Sequence, residues 1–417
     1  MIMPIGINSR ASSFMPAPSR LLTTPIGSVA GLSLSFCKAP TDIIDEWLEF
    51  EKSACATLFQ SYKWLSAWCR TAALAHGEHP LILTGFDADG RLALIWPMAI
   101  VKKLGTFVLT WLGQARSNYN FGLYRRDIID QIGEAEIRAI LGKISRQRPE
   151  IGAIHFLKQP FEWNGVKNPL AQLPTYPAAL RAYALNLYPD FDSLYASTFS
   201  ARSRSTLRRK ERNLAKSGKL NISLAATETE RLELLETFLR QKAIQFQSQG
   251  ELNVFEDPSM QTFYRELARD TGNGTSFECA YLSLDNTVAA TFNGMRFQDI
   301  FYFLTASMDL GELKRWSPGF ILMREHVAHH CRQKTAVFDL GPGDGDHKAS
   351  WQGQEVRCFE THLSLSPRGW ATTALSQTKA KSKFAIKRNP ILWKTARSVR
   401  GLTRALRRHI ISEPNNS

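Results

Sequence analysis

The stretch Trp316–Trp351, WSPGFILMREHVAHHCRQKTAVFDLGPGDGDHKASW, decides the fold prediction for this chain. It begins with a Ser-Pro-Gly turn and predicts a helix over Phe320–Arg332, because proline is favoured in the first turn of a helix. A short apolar strand, Val337–Leu340, follows the helix. The glycine-rich loop after the strand ends in His347-Lys348. Two different kinds of cofactor-binding loop share this pattern, so the surrounding sequence must distinguish them.

One alternative is the S-adenosylmethionine loop of a methyltransferase. Val337–Asp346 has its apolar strand, its acid and its Gly-x-Gly-x-Gly pattern. Such a loop should open a helix of ordinary length and be followed by several further strand-helix units. Here only Asp346–Trp351 precedes Gly353, and one predicted strand and a basic tail remain. The sequence therefore disfavours a methyltransferase.

Length and composition indicate a multidomain protein with reduced thiols. A chain of 417 residues predicts two or three domains. Its six cysteines form no Cys-x-x-Cys pair, which argues against a zinc site or a disulfide framework and suits a cytoplasmic location. No apolar run has the length of a membrane span. Residues 1–40 lack acids and contain several prolines, so we expect a disordered leader there.

Positive charge is concentrated at the carboxyl end. The formal net charge is +14, and residues 379–417 hold eleven Lys or Arg residues against the single acid Glu413. Apolar side chains at helical spacing between Leu392 and Ile410 predict a basic amphipathic helix. Such a tail, residues 371–417, is typical of peripheral contact with an anionic membrane, and the alternative is a poorly ordered solubilising tail. We expect no nucleic-acid partner.

The apolar pattern divides the chain between these ends into two halves. Residues 41–190 predict a first domain. Its predicted elements are helical segments over Thr41–Ala75, a hairpin of Leu81–Phe86 and Leu92–Ile100, strands at Phe107–Leu112, Ile151–Leu157 and Tyr183–Leu187, and an amphipathic helix around Gly133–Arg146. Residues 191–219 predict a basic helical connector. Residues 220–370 predict a second domain of the order strand, two helices, three strands, helix, strand, and a last strand over Arg357–Leu365. An antiparallel meander with one helical crossover indicates an α+β, or mixed α/β, fold.

Two features of the sequence favour an anionic ligand. Arg202–Lys219 carries eight basic residues and one acid, Glu211, which predicts either a solvated charged helix or a positive rim for a phosphate group. The turn Ser317-Pro318-Gly319 precedes a helix, and free backbone amides at a helix start bind phosphate.

The order of these motifs resembles the CelD-like acyltransferases, a branch of the GNAT superfamily related to the Fem-type aminoacyl transferases. The resemblance covers about residues 40–366. Its motifs are the turn Trp316–Gly319, Asp339 with Gly343, His347-Lys348 before Trp351, the arginine-rich run Arg202–Arg212, Phe59-Gln60 with Trp64 and Trp68, and Ser117-Asn118-Tyr119. Two residues depart from the family pattern: His347 replaces a tyrosine and Asn118 an aspartate.

The resemblance implies tandem GNAT-like domains, of which the second is better preserved, and acyl-CoA as co-substrate. Ser317, Pro318, Gly319 and Phe320 would hold the pyrophosphate, with Leu304 and Thr305 aligning the pantetheine. Acyl transfer also needs a proton acceptor, for which the candidates are Asp339, His347 and Glu278. Lys348 could hold a substrate phosphate or carboxylate. The candidate substrate-binding residues are Arg208, Arg209, Asn118 and Tyr119.

These features predict an N- or O-acyltransferase acting on a sugar, exopolysaccharide or envelope precursor. Two alternatives remain: transfer from aminoacyl-tRNA, and a non-catalytic accessory module of a polysaccharide-synthesis complex. We expect no metal, because no carboxylate or cysteine accompanies His326, His329 and His330 in the sequence. A cytoplasmic protein with a possible membrane-associated tail is the expected location.

Overall fold

A computed structural model describes residues 23–179, 181–188, 190–269, 274–343 and 350–389. In chain order its strands are β1 Thr24–Val29, β2 Leu32–Cys37, β3 His79–Phe86, β4 Leu92–Lys103, β5 Thr106–Trp111, β6 Leu123–Tyr124, β7 Ile151–Pro160, β8 Glu162–Trp163, β9 Val166–Lys167, β10 Tyr176–Pro177, β11 Ala182–Asn186, β12 Leu220–Leu224, β13 Thr275–Leu284, β14 Thr287–Phe297, β15 Ile300–Met308, β16 Val337–Pro342, β17 Gln354–Val356 and β18 Cys358–Ser364. Its α-helices are α1 Ile44–Glu51, α2 Tyr62–Thr71, α3 Arg126–Ile129, α4 Glu134–Gln147, α5 Phe191–Thr198, α6 Ala201–Ala215, α7 Glu228–Gln249, α8 Pro258–Arg269, α9 Pro318–Arg332 and α10 Pro367–Arg388.

Local sequence signals explain where these elements begin and end. The predicted hairpin is confirmed as β3 and β4, which pair antiparallel from His79 opposite Ile100. The long helix α7 begins after Thr227, whose hydroxyl accepts from the Glu230 amide, and ends at Gly250 with φ +66°. A threonine before the first turn and a left-handed glycine after the last turn satisfy the free groups of a helix.

The described strands form two large sheets. The first has the order β1-β2-β3-β4-β5-β7-β18-β10, with β6 paired to β4. The second has the order β12-β13-β14-β15-β16-β11-β17. In the second sheet β15 and β16 run parallel, and α9 forms the crossover between them. The mixed α/β architecture expected from the sequence is therefore present.

The two halves exchange strands, which local patterning did not predict. We placed Tyr183–Leu187 in the first domain, yet β11 lies between β16 and β17 of the second sheet. Conversely, β18 falls within the range 220–370 assigned to the second domain, but it pairs with β7 of the first sheet. Alternation identifies a strand but not its partner, because pairing depends on contacts remote in sequence.

Two boundary predictions need correction. The leader predicted over residues 1–40 is wrong for Thr24–Cys37, where β1 and β2 form an edge hairpin with Ile26, Leu32 and Leu34 buried. The boundary placed at residue 370 falls inside α10, which packs on the first sheet through hydrogen bonds from Thr373 to Leu363 O and from Gln377 to His362 O. The predicted amphipathic segment Leu392–Ile410 lies outside the described residues.

The halves share a hydrophobic core. Trp64 and Trp68 of α2 pack edge-on against Phe263 of α8, with ring centroids 4.9 and 5.2 Å apart. Phe59 packs against Tyr302 of β15 at 5.7 Å. Aromatic edge-to-face contacts of this kind stabilise a packed interface beyond the area they bury. No helix in the described part of the chain combines the length and apolarity needed to cross a membrane.

Candidate functional site

The turn before α9 presents a helix start with one open amide. Ser317 adopts a left-handed conformation with φ +58°, and Pro318 occupies the first helical position, where it needs no N–H partner. The Phe320 and Ile321 amides both donate to Ser317 O, at 3.0 and 3.3 Å. Within the described residues, the Gly319 amide makes no hydrogen bond, and a Cβ added at Gly319 would meet nothing within 4 Å. This amide without a partner lies at the positive end of the helix dipole, which is a favourable place for an anion.

The basic helix α6 lies beside this turn. Lys210 Nζ donates to Ser317 Oγ at 2.7 Å. Arg324 of α9 is almost fully buried and pairs with Glu211, the one acid of the basic run, at 2.8 Å. Because Glu211 is used in this ion pair, it does not neutralise the other basic residues of α6.

A groove of about 470–670 Å³ lies on each side of α6. The larger, of about 670 Å³, opens between α6 and α9 and is lined by side chains that include Arg202, Leu207, Lys210, Ser317, Phe320 and Trp351. Its volume is that of a small-molecule site. The smaller, of about 470 Å³, is lined by Arg204, Arg208 and Arg212 on the opposite side of α6.

The basic residues near the Ser317–Gly319 turn are therefore not the two that the sequence singled out, Arg208 and Arg209. Arg208 lines the groove away from α9, and Arg209 is exposed and lines neither groove. The sequence placed Lys210 and Arg202 in the basic run but singled out Arg208 and Arg209 instead. The signal for Lys210 was present: it lies three residues after Leu207 and four before the buried Leu214, which places it on the packed side of the helix.

Strands β15 and β16 pair over a short stretch. Their parallel register among the described residues runs only from Ile300 opposite Val337 to Tyr302 opposite Asp339. On its other side, β15 has a register shift against β14 at Asn293 and Gly294. Leu304 and Thr305 are half-buried on the part of β15 beyond this register. The two predicted pantetheine residues therefore lie on β15 beyond its register with β16 among the described residues.

Asp339 joins the two halves of the chain. Its Oδ1 accepts from the Tyr119 hydroxyl at 2.7 Å and from the Gly341 amide at 3.2 Å. Both Asp339 and Tyr119 are fully buried. Burial and the neighbouring Asp339 carboxylate hold the pKa of Tyr119 well above its ordinary value. Asp339 therefore accepts one hydrogen bond from its own segment, at Gly341, and one from the first half of the chain, at Tyr119.

Asn118 lies beside Gly341 of the same segment. Gly341 has φ +67°, and a Cβ there would lie 2.7 Å from Asn118 Nδ2 and 3.3 Å from Phe303 O. Glycine is thus required at 341 both for its backbone conformation and for this close approach. Asn118 also lines a cavity of about 200 Å³ together with Lys158, Arg116 and Tyr264. Burial lowers the pKa of Lys158 to about 8.

Glu278 lies on the opposite face of the second sheet from Asp339. Asp339 is paired with Tyr302, whose ring contacts Trp163 of the first half. Glu278 instead faces α9, where its Oε2 lies 3.7 Å from His326 Nε2 and 3.5 Å from His330 Nε2. The expectation that no carboxylate accompanies these histidines is wrong for Glu278. Asp339 and Glu278 do not form one catalytic group. His347 and Lys348 lie outside the described residues.

Residues 201–349 match the family model "Acetyltransferase (GNAT) domain". This part of the second half is therefore similar to an acyltransferase domain. The match spans α6, the α9 turn, β15 and β16, and no family match is found for the first half.

Two solved structures share the fold. The crystal structure of FemX has a TM-score of 0.56 and 13% sequence identity, covering 80% of this chain and 98% of FemX. A conserved protein of unknown function from Bacteroides thetaiotaomicron has a TM-score of 0.51 and 13% identity, covering 79% of this chain and 99% of its own. At these identities the likeness concerns the fold alone. No curated protein sequence matches the chain significantly.

Proposed function

We propose that this protein transfers an acyl group from acyl-CoA to an amine or hydroxyl acceptor. The observation that carries the proposal is the groove between α6 and α9, where Lys210 contacts the first residue of the α9 turn. The open Gly319 amide, the helix dipole, Lys210 and Arg202 would bind the diphosphate of the co-substrate. Arg and Lys side chains at a helix start are a common phosphate-binding combination.

The short pairing of β15 with β16 supports the same assignment. Leu304 and Thr305 lie on β15 beyond this register, and their backbone groups would pair with the amides of a pantetheine arm. In the reaction the acceptor attacks the thioester carbonyl, the thiol leaves, and a base takes the acceptor proton. We keep His347 as the candidate base, because an imidazole titrates near neutral pH, and Lys348 as the candidate contact to an anionic acceptor.

The acceptor we propose is a sugar, exopolysaccharide or cell-envelope precursor. This part of the proposal depends on the CelD-like order of motifs, in which the turn Trp316–Gly319 and the segment Ser117–Tyr119 take part. Mass spectrometry of the small molecules and of any nucleic acid that purify with the full chain would identify the acceptor or its class. Recovery of a saccharide-bearing molecule supports the proposal, and recovery of charged tRNA alone contradicts it.

Calorimetry with acetyl-CoA and a longer acyl-CoA tests the co-substrate. Replacing Lys210 with alanine removes one charge-assisted contact to phosphate, worth about 1.5–3 kcal/mol, so affinity should fall by about 10- to 150-fold. R209A is the matched control, because Arg209 is on the same helix but lines neither groove. Equal affinities for K210A and R209A would place the diphosphate elsewhere.

Transfer from aminoacyl-tRNA is the second candidate. The observation that favours it is the cluster Arg204, Arg208 and Arg212, which extends the positive surface of α6 beyond the groove at α9. A polyanion contacting this cluster should bind with an affinity that falls steeply with salt. If tRNA binds with such a slope, and R208A/R212A reduces the slope while acyl-CoA produces no saturable heat, the second candidate replaces the first.

A further inference from the structure

Three potential metal ligands converge between α9 and the second sheet. His326 and His330 lie one turn apart on α9, and their Nε2 atoms are 3.1 Å from each other. Glu278 of β13 directs Oε2 at both imidazoles, at 3.7 and 3.5 Å. The two histidines are buried, and Glu278 is mostly buried. In the part of the chain that the structure describes, these three residues form the group whose ligand atoms lie close enough together to hold a metal ion.

The spacing of these atoms matches a tetrahedral ion. A metal bound to nitrogen and oxygen at about 2.0–2.1 Å separates neighbouring ligand atoms by about 3.3 Å. The observed separations of 3.1, 3.5 and 3.7 Å bracket that value. A triangle with these sides has a circumradius of about 2.0 Å, so an ion about 0.5 Å out of its plane would lie about 2.0–2.1 Å from all three atoms, as a four-coordinate zinc ion requires.

The surroundings fix each ligand in place. His330 Nδ1 lies 3.1 Å from the hydroxyl of the buried Thr335, so an Nδ1–H donated there leaves the Nε2 lone pair directed at the other two ligands. The His330 and His326 rings pack against Phe301, with centroids 4.2 and 4.7 Å apart. Arg296 faces the other carboxylate oxygen of Glu278 at 3.5 Å.

Hydrogen bonding alone leaves this cluster incomplete. Glu278 Oε2 and His326 Nδ1 are buried and have no hydrogen-bond partner within the described residues. Buried carboxylate and imidazole atoms without partners are costly, and a bound cation would remove that cost for the carboxylate oxygen. Two His nitrogens and one carboxylate oxygen form a ligand set that zinc uses with water in the fourth position.

We propose that Glu278, His326 and His330 bind a divalent transition metal, with zinc preferred, and that the ion ties α9 to β13. The site lies toward the carboxyl end of α9, and the anion-binding turn lies at its amino end. The ion would therefore hold in place the helix that carries the turn. This proposal stands independently of the identity of the acyl donor.

The test is metal content and affinity of the full-length protein. After removal of metal with EDTA and addition of zinc, the wild type should retain about one zinc per chain by mass spectrometry of the metal. Competition with a chromophoric chelator should show that H330Q and E278Q bind at least about 100-fold more weakly. T335V, which removes only the partner of His330, should bind about 10- to 100-fold more weakly.

His329 supplies the matched control, because it lies on the same helix next to His330 but outside the triad. H329Q should bind zinc as the wild type does. Cobalt in place of zinc should give the intense visible absorption of a tetrahedral site, and H330Q should lose it. If H330Q or E278Q fails to fold, the zinc affinities of H329Q and T335V still test the proposal. The proposal is overturned if the wild type retains no zinc, or if H329Q and H330Q weaken binding equally.

Discussion

The hydrogen bond between Tyr119 and Asp339 allows a quantitative test of how the two halves are joined. The bond is 2.7 Å long, both side chains are fully buried, and the residues are 220 positions apart in sequence. Replacing Tyr119 with phenylalanine keeps the ring, which packs against Phe59 and Trp163. The variant therefore removes the donor to a buried carboxylate and little else.

The expected loss follows from the kind of bond. A hydrogen bond to a charged group contributes about 1.5–3 kcal/mol, and the upper part of this range applies when the remaining partner stays buried. We therefore expect Y119F to lower the free energy of unfolding in urea by about 2–3 kcal/mol. Because the hydrophobic core spans both halves, the loss should appear in one cooperative transition.

Two further variants separate this bond from general effects of substitution. Y183F on the neighbouring strand β11 is the control, since the Tyr183 hydroxyl makes no hydrogen bond within the described residues; it should change stability by less than about 0.5 kcal/mol. A double-mutant cycle of Y119F with D339N should give a coupling of about 1 kcal/mol or more. A loss in Y119F no larger than that in Y183F would refute the account of how the halves are joined.

Two more predictions concern folding. Burial raises the pKa of Glu51 from 4.5 to about 7. The folded carboxyl therefore keeps its proton to a higher pH than the unfolded one. As a result, the free energy of unfolding falls as the pH rises through the range between these two pKa values. From pH 5 to pH 8, the free energy of unfolding of E51Q in urea should rise by about 2–3 kcal/mol relative to that of the wild type. A difference that does not change with pH would contradict this. A Cβ at Gly369 would overlap the Gly152 carbonyl, so G369A should destabilise the docking of α10 by about 1–3 kcal/mol. G142A, in the middle of α4 with room for a methyl group, should be neutral or stabilising, and equal losses would contradict the packing described for α10.

Sequence patterning predicted the parts of the fold that depend on neighbouring residues. Apolar runs joined by a turn identified β3 and β4, an amphipathic pattern identified α4, and the Ser-Pro-Gly turn identified α9. The leader was misjudged because its prolines and serines outweighed the short alternation of Leu32–Cys37. The exchange of β11 and β18 was out of reach, since a strand carries no local mark of the sheet it joins.

The candidate site was predicted in part for the same reason. The proline and glycine of the α9 turn are local signals, and they located the helix start correctly. Which amide stays open depends on the conformation of Ser317, and that required the structure. Lys210 was overlooked among eight basic residues because its neighbour Ser317 is 107 positions away. Glu278 joins His326 and His330 only because α9 packs across β13.

Hydrogen exchange with and without saturating acetyl-CoA tests the central claim most directly. If the groove between α6 and α9 holds the diphosphate, amides at Gly319–Ile321 and in α6 should exchange more slowly with ligand, and the protection at the turn should be weaker in K210A. The first sheet around β3 should be unchanged. Protection confined to other regions, or the absence of any saturable protection with acyl-CoA, would contradict the proposed function.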